Sequence, residues 1–303
     1  MSAFQLKQNP NGSVTLVDTE NNQAMHSHIG PTEEAKNVYA AQVPKCVVDL
    51  AFSPKGLTLF DVGMGTAANV IELIHHLDDS LSRPLDLSKT YHLNVMSFET
   101  KPEGLRFALD HPGEFSFLSH YKRELESLLK NHVTEFRTSH GTIQWRLHSH
   151  CYFNAIDTKT AESEERRLPH PDLIFYDFYD PKVFPELWSL ERFKALREFC
   201  DLNESHKPST LITYSASTPV RVALLLSGFY VGKGAGTATK GETTIASTDV
   251  SAIEKLLAEE WLKKLNVSSQ PLPYRSTAPS ATQFNREKVI DAISQHPQFK
   301  RDQ

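Results

Sequence analysis

The chain has few cysteines, no long apolar run and no excess of positive charge, and each shortage closes off a class of protein. Cys46, Cys151 and Cys200 are odd in number and scattered, without Cys-x-x-Cys spacing, so neither a disulfide framework nor a zinc knuckle is expected. No stretch reads as a signal peptide or a membrane-spanning helix, and the expectation is a cytoplasmic protein without a membrane partner. A formal charge of -5 and a pI near 6.3 give no global cationic field. Any contact with nucleic acid therefore has to come from a local patch.

What is present is a 303-residue chain with ordinary apolar and charged fractions, enough to bury one large α/β core without disulfides. Its most informative stretch runs from Leu59 to Ile74 and reads as strand, tight turn and helix. Leu57, Leu59 and Phe60 make a short apolar run. Gly63 and Gly65 allow backbone to pass close to a ligand with no Cβ in the way. Val70, Ile71, Leu73, Ile74 and Leu77 then recur at helical spacing, so the helix packs one face on a sheet and points its free N–H groups at the turn.

A Gly-x-Gly can be a plain strand-to-helix turn. Two acids raise it above that. Asp61 closes the strand just before the glycines, and Glu99 ends the next apolar run, Leu93 to Phe98, where a carboxylate can accept both ribose hydroxyls. Gly63-x-Gly65-x-x-Ala68 also fits a nicotinamide fingerprint, but the ribose acid is then expected about 20 residues on, and Glu99 lies beyond a polar insertion, His75 to Asn94. An acid ahead of the glycines suits S-adenosylmethionine better, because that ligand carries an ammonium and a sulfonium and no pyrophosphate.

Ahead of this stretch, Asn9–Gly12 and Glu20–Asn22 are turn clusters that bracket Ser13 to Val17, a hairpin signal. Thr32 is the expected cap of a helix burying Val38, Tyr39 and Val43. The hairpin and helix form either a flap over the domain edge or a lid that contributes to the pocket. Downstream, two amphipathic helices are expected between Pro102 and Asn131. Ile143, Trp145 and Leu147 alternate as in a half-buried strand that runs into His148-Ser149-His150-Cys151. Alternation puts His148 and His150 on one face and Cys151 on the other, so no metal site is assigned. Residues 157 to 171 read as a charged, solvated loop or a frayed helix.

The second informative stretch is Pro171 to Pro181. Leu173 to Tyr176 suit a strand buried on both faces, with Asp177 emerging at its carboxyl end, the edge at which open α/β sheets bind ligands. Asp177 or Asp180 can hold or deprotonate an amine there, or both are turn residues before Pro181. Phe178, Tyr179, Phe184 and Trp188 add aromatic surface near the same rim, for a flat base or for packing. Ser189 is placed to cap a helix through Phe193 and Leu196. Strand Thr210–Tyr214, helix Ser217–Leu226 and an antiparallel pair, Phe229–Lys233 with Glu242–Ala246, follow. A helix over 251–265 and a short one over Arg286–Ile293 complete the expected elements.

Taken together, these pieces resemble the methyltransferase part of the MnmC enzymes and their stand-alone relatives. The resemblance covers most of residues 12 to 295. It rests on Glu34-Ala35-x-x-Val38-Tyr39, Asp61-x-Gly63-x-Gly65-Thr66, Ser97-Phe98-Glu99, Asp177-Phe178 with Pro185-Glu186-Leu187-Trp188, Thr213-Tyr214-Ser215-Ala216-x-x-x-Val220-Arg221, Leu225-x-x-x-Gly228-Phe229 and Pro273-Tyr274-Arg275. It implies a doubly wound, Rossmann-like class I S-adenosylmethionine-dependent methyltransferase sheet of seven strands, mostly parallel, with a C-terminal antiparallel hairpin and an N-terminal β-hairpin.

The expected division is 1–45 for the flap, 46–266 for the methyltransferase domain and 267–303 for the tail. The resemblance also implies S-adenosyl-L-methionine as cofactor, held by Glu34, Asp61, Gly63, Gly65, Thr66, Glu99, Cys151 and Asp177. Asp177 is the implied catalytic acid, and Phe178, Tyr179, Trp188, Arg221 and Lys240 are the implied acceptor contacts. Where the family usually has Gly-Asp at the end of the third strand, this chain has His150-Cys151. Its loop Gly234–Gly241 is also poorer in basic residues.

The implied reaction is N-methylation of the aminomethyl group of 5-aminomethyl-(2-thio)uridine at the tRNA wobble position, on substrate supplied by separate modification enzymes. The oxidase half of the fused enzymes is absent from this sequence. A small-molecule amine methyltransferase and a non-catalytic nucleotide-binding protein of the same fold are the alternatives.

Overall fold

The structure, a computed structural model, describes residues 3–81, 90–156, 168–202, 207–236, 241–276 and 285–300. Three short strands, β1 (Phe4–Gln8), β2 (Val14–Asp18) and β3 (Gln23–Ala24), form an antiparallel sheet of their own. A helical segment follows from Pro31 to Gln42, opening as α1 (Pro31–Glu34) and widening to a π turn over Ala35–Tyr39. Gly30, with φ 94°, occupies the cap position, and Pro31 with its fixed φ takes the first helical place. Thr32 is therefore inside the helix and does not cap it.

After α2 (Lys45–Ala51) come β4 (Leu57–Val62), α3 (Ala68–Leu81), β5 (Tyr91–Phe98), α4 (Glu103–Leu109), α5 (Lys122–Asn131), β6 (Val133–Arg137) and β7 (Gly141–His148). The second half of the chain supplies α6 (Tyr152–Ile156), β8 (Leu173–Tyr176), α7 (Leu190–Asp201), β9 (Thr210–Thr213), α8 (Thr218–Leu226), β10 (Tyr230–Gly234) and β11 (Thr243–Ser247). Two helices, α9 (Glu259–Val267) and α10 (Arg286–Ser294), follow.

The second sheet has the order β10-β11-β9-β8-β4-β5-β7-β6. Its five central strands are parallel, β6 and β11 run against them, and β10 pairs antiparallel with β11. It has eight strands, one more than expected, because the polar segment Val133–Arg137 folds back on β7 through the turn at Thr138–Gly141. From β4 the chain winds outward to β5 and β7, then returns to lay β8 on the other side of β4. The carboxyl ends of β4 and β8 thus flank the point where the winding reverses, which is where an open α/β sheet leaves a crevice.

Side chains alternate across the sheet and feed two cores. Leu57, Leu59, Leu173 and Phe175 join Val38, Tyr39, Val70 and Ile74 on one face. Phe60, Val62, Ile174 and Tyr176 join Trp188, Phe193, Val222 and Ile293 on the other. The same alternation sends Asp61 and Asp177 toward the α3 face, so both carboxylates arise from one side of the sheet.

The helix expected over 251–265 begins only at Glu259. Ahead of it the chain runs along the free edge of β10, where Lys233 N–H donates to the Lys255 carbonyl at 2.8 Å and Leu257 N–H to the Val231 carbonyl at 2.9 Å. Backbone pairing with a sheet edge there overrides local helix preference. Ser189 takes the cap position of α7 as expected, but its side chain makes no cap hydrogen bond. The readings over 157–167 and 237–240, Lys240 among them, lie outside the described residues.

Candidate functional site

Beyond Val62 the chain turns through Gly63 (φ 86°), Gly65 (φ 53°) and Ala67 (φ 65°) into α3. The two glycines serve different needs. A Cβ on Gly63 would stand 2.4 Å from the Asp177 carbonyl oxygen, so this glycine lets the ends of β4 and β8 close on each other. Among the described residues, a Cβ on Gly65 would meet only the Met25 sulfur, at 3.9 Å. The space over Gly65 is the floor of a cavity of about 440 Å³.

That cavity is walled by the carboxyl ends of the parallel strands and by the N-terminal segment. Glu99, Thr100 and Lys101 come from the end of β5, and His150, Cys151 and Tyr152 from the end of β7. Asp177 to Asp180 follow β8, and Tyr214 follows β9. Gln23 to Ser27 and Glu34 complete the enclosure. The N-terminal segment thus contributes directly to the pocket.

Asp177 sits on this wall. Its backbone N–H continues the pairing with β4 by donating to the Val62 carbonyl at 2.9 Å, and its Oδ2 accepts a 2.8 Å hydrogen bond from Asn69 in the first turn of α3. Burial pushes its carboxyl up to about 7, and the nearby Glu34 charge adds to the rise. The Tyr39 hydroxyl and the Asn69 amide work in the opposite direction. An acid in that range shares a proton readily near neutral pH.

Asp61 is fully buried and stands behind the wall. Strand register puts it beside Ser97, and the Ser97 hydroxyl donates to its Oδ2 at 2.6 Å while receiving the Trp145 indole N–H at 2.8 Å. Burial lifts its carboxyl to about 7, with the Ser97 bond opposing and the Glu99 charge adding. Its Oδ1 is buried with no hydrogen-bond partner among the described residues. Glu99 lines the cavity with Oε2 accepting from Gly65 N–H at 3.1 Å and Oε1 from Lys101 N–H at 2.8 Å, which fixes its orientation.

Glu34 lines the cavity and accepts the Ser27 N–H at 2.7 Å. Between it and the glycine turn stands His26, whose Nε2 is 2.8 Å from the Thr66 hydroxyl and whose Nδ1 is 4.0 Å from Glu34 Oε2. Burial drops this imidazole to about 4, so it is neutral at neutral pH. Thr66 is itself fully buried and does not line the cavity. Its hydroxyl holds His26, which does.

The other expected residues divide. Cys151, Phe178 and Tyr179 line the cavity, joined by Phe184, Leu187 and Tyr214. Trp188 is fully buried, and its indole N–H donates to the Tyr179 carbonyl at 2.9 Å. It braces the aromatic wall from inside. Arg221 is 2% exposed and turns into the fold, donating to the Thr244 hydroxyl at 3.0 Å, Glu242 Oε1 at 2.7 Å and the Thr243 carbonyl at 2.8 Å. It offers no surface to an acceptor. Among the described residues no cluster of three or more His, Cys, Asp or Glu forms a metal site, and no helix is long and apolar enough to cross a membrane.

Asn69, Tyr39, His26 and Tyr214 belong to the site without having been singled out as site residues. Asn69 and Tyr39 lay within stretches already of interest. His26 carried no signal of spacing at all.

The cavity suits a doubly cationic, pyrophosphate-free ligand. Glu34, Glu99, Asp177 and Asp180 line it against one Lys or Arg among the described residues, Lys101, the floor over Gly65 is open, and Asp61 keeps an oxygen behind the turn that has no partner among the described residues. Glu99 and the Gly65 turn could hold a nucleoside and its cationic tail.

Residues 120–249 match a family model described as S-adenosyl-L-methionine-dependent methyltransferase. MnmC2 from Aquifex aeolicus has the same fold, with a TM-score of 0.62 at 22% identity over 97% of this chain and 85% of that one. An uncharacterised protein of Methanocaldococcus jannaschii is 22% identical over 289 residues, 94% of this chain and 70% of its own length. The tRNA 5-methylaminomethyl-2-thiouridine biosynthesis bifunctional protein MnmC of Polaromonas naphthalenivorans is 30% identical over 152 residues, 49% of this chain and 22% of its own length. Acid, glycine turn and Asp177 thus meet at one switch point of a fold shared with MnmC2, and over residues 120–249 the chain carries an S-adenosyl-L-methionine-dependent methyltransferase region similar to MnmC.

Proposed function

We propose that the chain methylates a primary aliphatic amine, the aminomethyl group of 5-aminomethyl-(2-thio)uridine at the tRNA wobble position, with Asp177 receiving the proton of the attacking nitrogen. The observation that carries this reading is the Asp177 carboxylate on the cavity wall, held by Asn69 and shifted to about 7. An alkylammonium has a pKa of roughly 10.4, so near neutral pH it lacks the lone pair that attack requires. The bound cofactor supplies an electrophilic methyl on a sulfonium.

Asp177 and Glu34 attract the ammonium and orient it, and Asp177 or a water on it takes one proton. The cofactor, once held, would supply the methyl that this nitrogen takes, a C–N bond replacing the C–S bond, and the excess proton would leave through the same carboxylate. Phe178, Tyr179 and Phe184 offer the flat apolar surface on which a nucleobase can lie. Glu34, Gly63, Gly65, Glu99 and Cys151 are the cofactor contacts in this reading, with Asp61 and Thr66 acting from behind the wall. Separate modification enzymes would supply the aminomethyl group.

A small amine is the second reading, favoured by the acidity of the cavity. Its one Lys or Arg among the described residues, Lys101, is already paired with Asp18 and Glu20, so the wall offers phosphate no free cation there. Single-turnover methyl transfer to undermodified tRNA carrying 5-aminomethyluridine, run beside the isolated nucleoside, tests the two. Transfer to tRNA in preference to nucleoside supports the tRNA reading. Cofactor binding with transfer to the nucleoside alone favours the small amine, and binding with no transfer to either favours a non-catalytic role.

A further inference from the structure

Asp18 is the last residue of β2, and its side chain has no exposed surface. Three donors come from its own turn: Glu20 N–H at 3.0 Å and Asn21 N–H at 3.4 Å to Oδ1, and the Asn21 amide at 2.8 Å to Oδ2. Those three already serve the turn. Two more reach Oδ2 from distant parts of the chain, the Lys101 ammonium at 2.9 Å and the Tyr179 hydroxyl at 3.2 Å.

These two partners stand on different walls of the cavity. Lys101 follows β5, and its backbone N–H is the group that fixes Glu99 Oε1. Tyr179 follows β8, with its ring centroid 5.6 Å from that of Phe184 and its carbonyl held by the Trp188 indole. One carboxylate of the N-terminal sheet therefore ties the nucleoside wall to the aromatic wall. Burial alone would raise its pKa, but the Lys101 and Asn21 side chains and the Glu20 and Asn21 N–H groups outweigh that and hold it below the usual range. A charged acceptor with about four lone-pair sites is filled by these donors.

We propose that Asp18 is a positioning residue that clasps the two walls of the cavity together through Lys101 and Tyr179, so that cofactor binding and ordering of the N-terminal sheet reinforce each other. The proposal rests on the cofactor assignment and is independent of which amine is the acceptor. By linkage, whatever steadies Lys101 and Glu99 steadies the sheet that carries Asp18, and the reverse holds equally.

The test is calorimetric titration of the full chain with S-adenosylmethionine, with backbone hydrogen exchange followed over residues 14–27. Wild type is set beside Tyr179→Phe, Lys101→Met, Asp18→Asn and the Asp18→Asn/Tyr179→Phe double variant. Tyr179→Phe keeps the ring and removes only the clasp bond, so it guards against a result that reflects loss of fold in Asp18→Asn. The expectation is a roughly three- to thirtyfold loss of affinity in Tyr179→Phe and Lys101→Met, a fraction of what a hydrogen bond to a charged group can contribute. The double variant should bind no worse than Asp18→Asn alone.

Cofactor should slow exchange over 14–27 in wild type, and clearly less in Tyr179→Phe, a change that a merely structural Asp18 would not produce. Wild-type binding with Tyr179→Phe and Lys101→Met within twofold, or with additive losses in the double variant, overturns the clasp alone. No binding by the wild-type chain overturns the cofactor assignment and the clasp with it.

Discussion

Asn69 and Asp177, 108 residues apart, are joined by a 2.8 Å hydrogen bond from the first turn of α3 to the end of β8. The bond aims the carboxylate that the proposed chemistry requires, and it exists because Gly63 lets the two strand ends close to van der Waals range. Replacing Asp177 by Asn keeps the shape and removes the charge. Methyl transfer should fall by ~10²-fold or more, the scale of a lost general base, with cofactor affinity kept within a few fold. Single-turnover kinetics beside calorimetric titration check both halves, and equal transfer by the variant would leave Asp177 a turn residue.

The same substitution should have the opposite effect on stability. Asp177 is raised in the fold from an ordinary value of 3.8 to about 7, so the folded state holds its proton more tightly than the unfolded chain does. Its favourable contribution is complete below pH 4 and is lost as pH climbs through 7. Above that the fold carries a buried charge at a cost. Asp177→Asn should therefore be the more stable protein at pH 8, by at least about 1 kcal/mol, with the difference shrinking toward pH 4. Urea melts at the two pH values read it directly. A variant less stable than wild type at pH 8 would contradict the burial argument.

The sequence announced β4, the glycine turn, α3 and β8 because apolar runs, turn glycines and helical spacing coincide there. It also placed Glu99, Phe178 and Tyr179 at the cavity. Other features have no local signature. Arg221 and Trp188 look like surface groups available to a ligand, yet both are drawn inward by partners far along the chain: Glu242, Thr243 and Thr244 for Arg221, and Tyr179 for Trp188. His26 shows no pattern in sequence because its role depends on Thr66, 40 positions away. Strand β6 was missed because a polar edge strand shows little alternation, and the stretch before α9 because the edge of β10 captured it.

Arg221 yields a prediction that separates fold from acceptor binding. Its guanidinium bridges α8 to β11 and to Glu242, so Arg221→Met should strand the Thr243 carbonyl and leave the Glu242 carboxylate to Lys233, 3.4 Å away. The cost is about 2–4 kcal/mol, somewhat below that of breaking a fully buried pair because Glu242 is 35% exposed. In the fraction that stays folded, cofactor affinity and the salt dependence of any tRNA binding should be unchanged. Denaturant melts and binding at two salt concentrations test this, and a smaller salt slope with intact stability would mean that Arg221 does reach an acceptor.

The two glycines of the turn should fail in different ways when they gain a side chain. Both have positive φ, which a β-branched residue adopts only with strain. At Gly63 the added Cβ also strikes the Asp177 carbonyl at 2.4 Å, so Gly63→Ala has to push β4 and β8 apart, destabilising the fold and misplacing Asp177. At Gly65 the added atoms meet nothing among the described residues nearer than the Met25 sulfur at 3.9 Å and project into the cavity. Gly65→Val should therefore pay mainly the local strain, roughly 1–3 kcal/mol, while S-adenosylmethionine affinity falls beyond detection because the branched side chain takes the space of the methionine moiety. Circular dichroism to confirm folding, followed by calorimetric titration, distinguishes the two. A folded Gly65→Val chain that binds S-adenosylmethionine as wild type does would remove the glycine turn from the cofactor site.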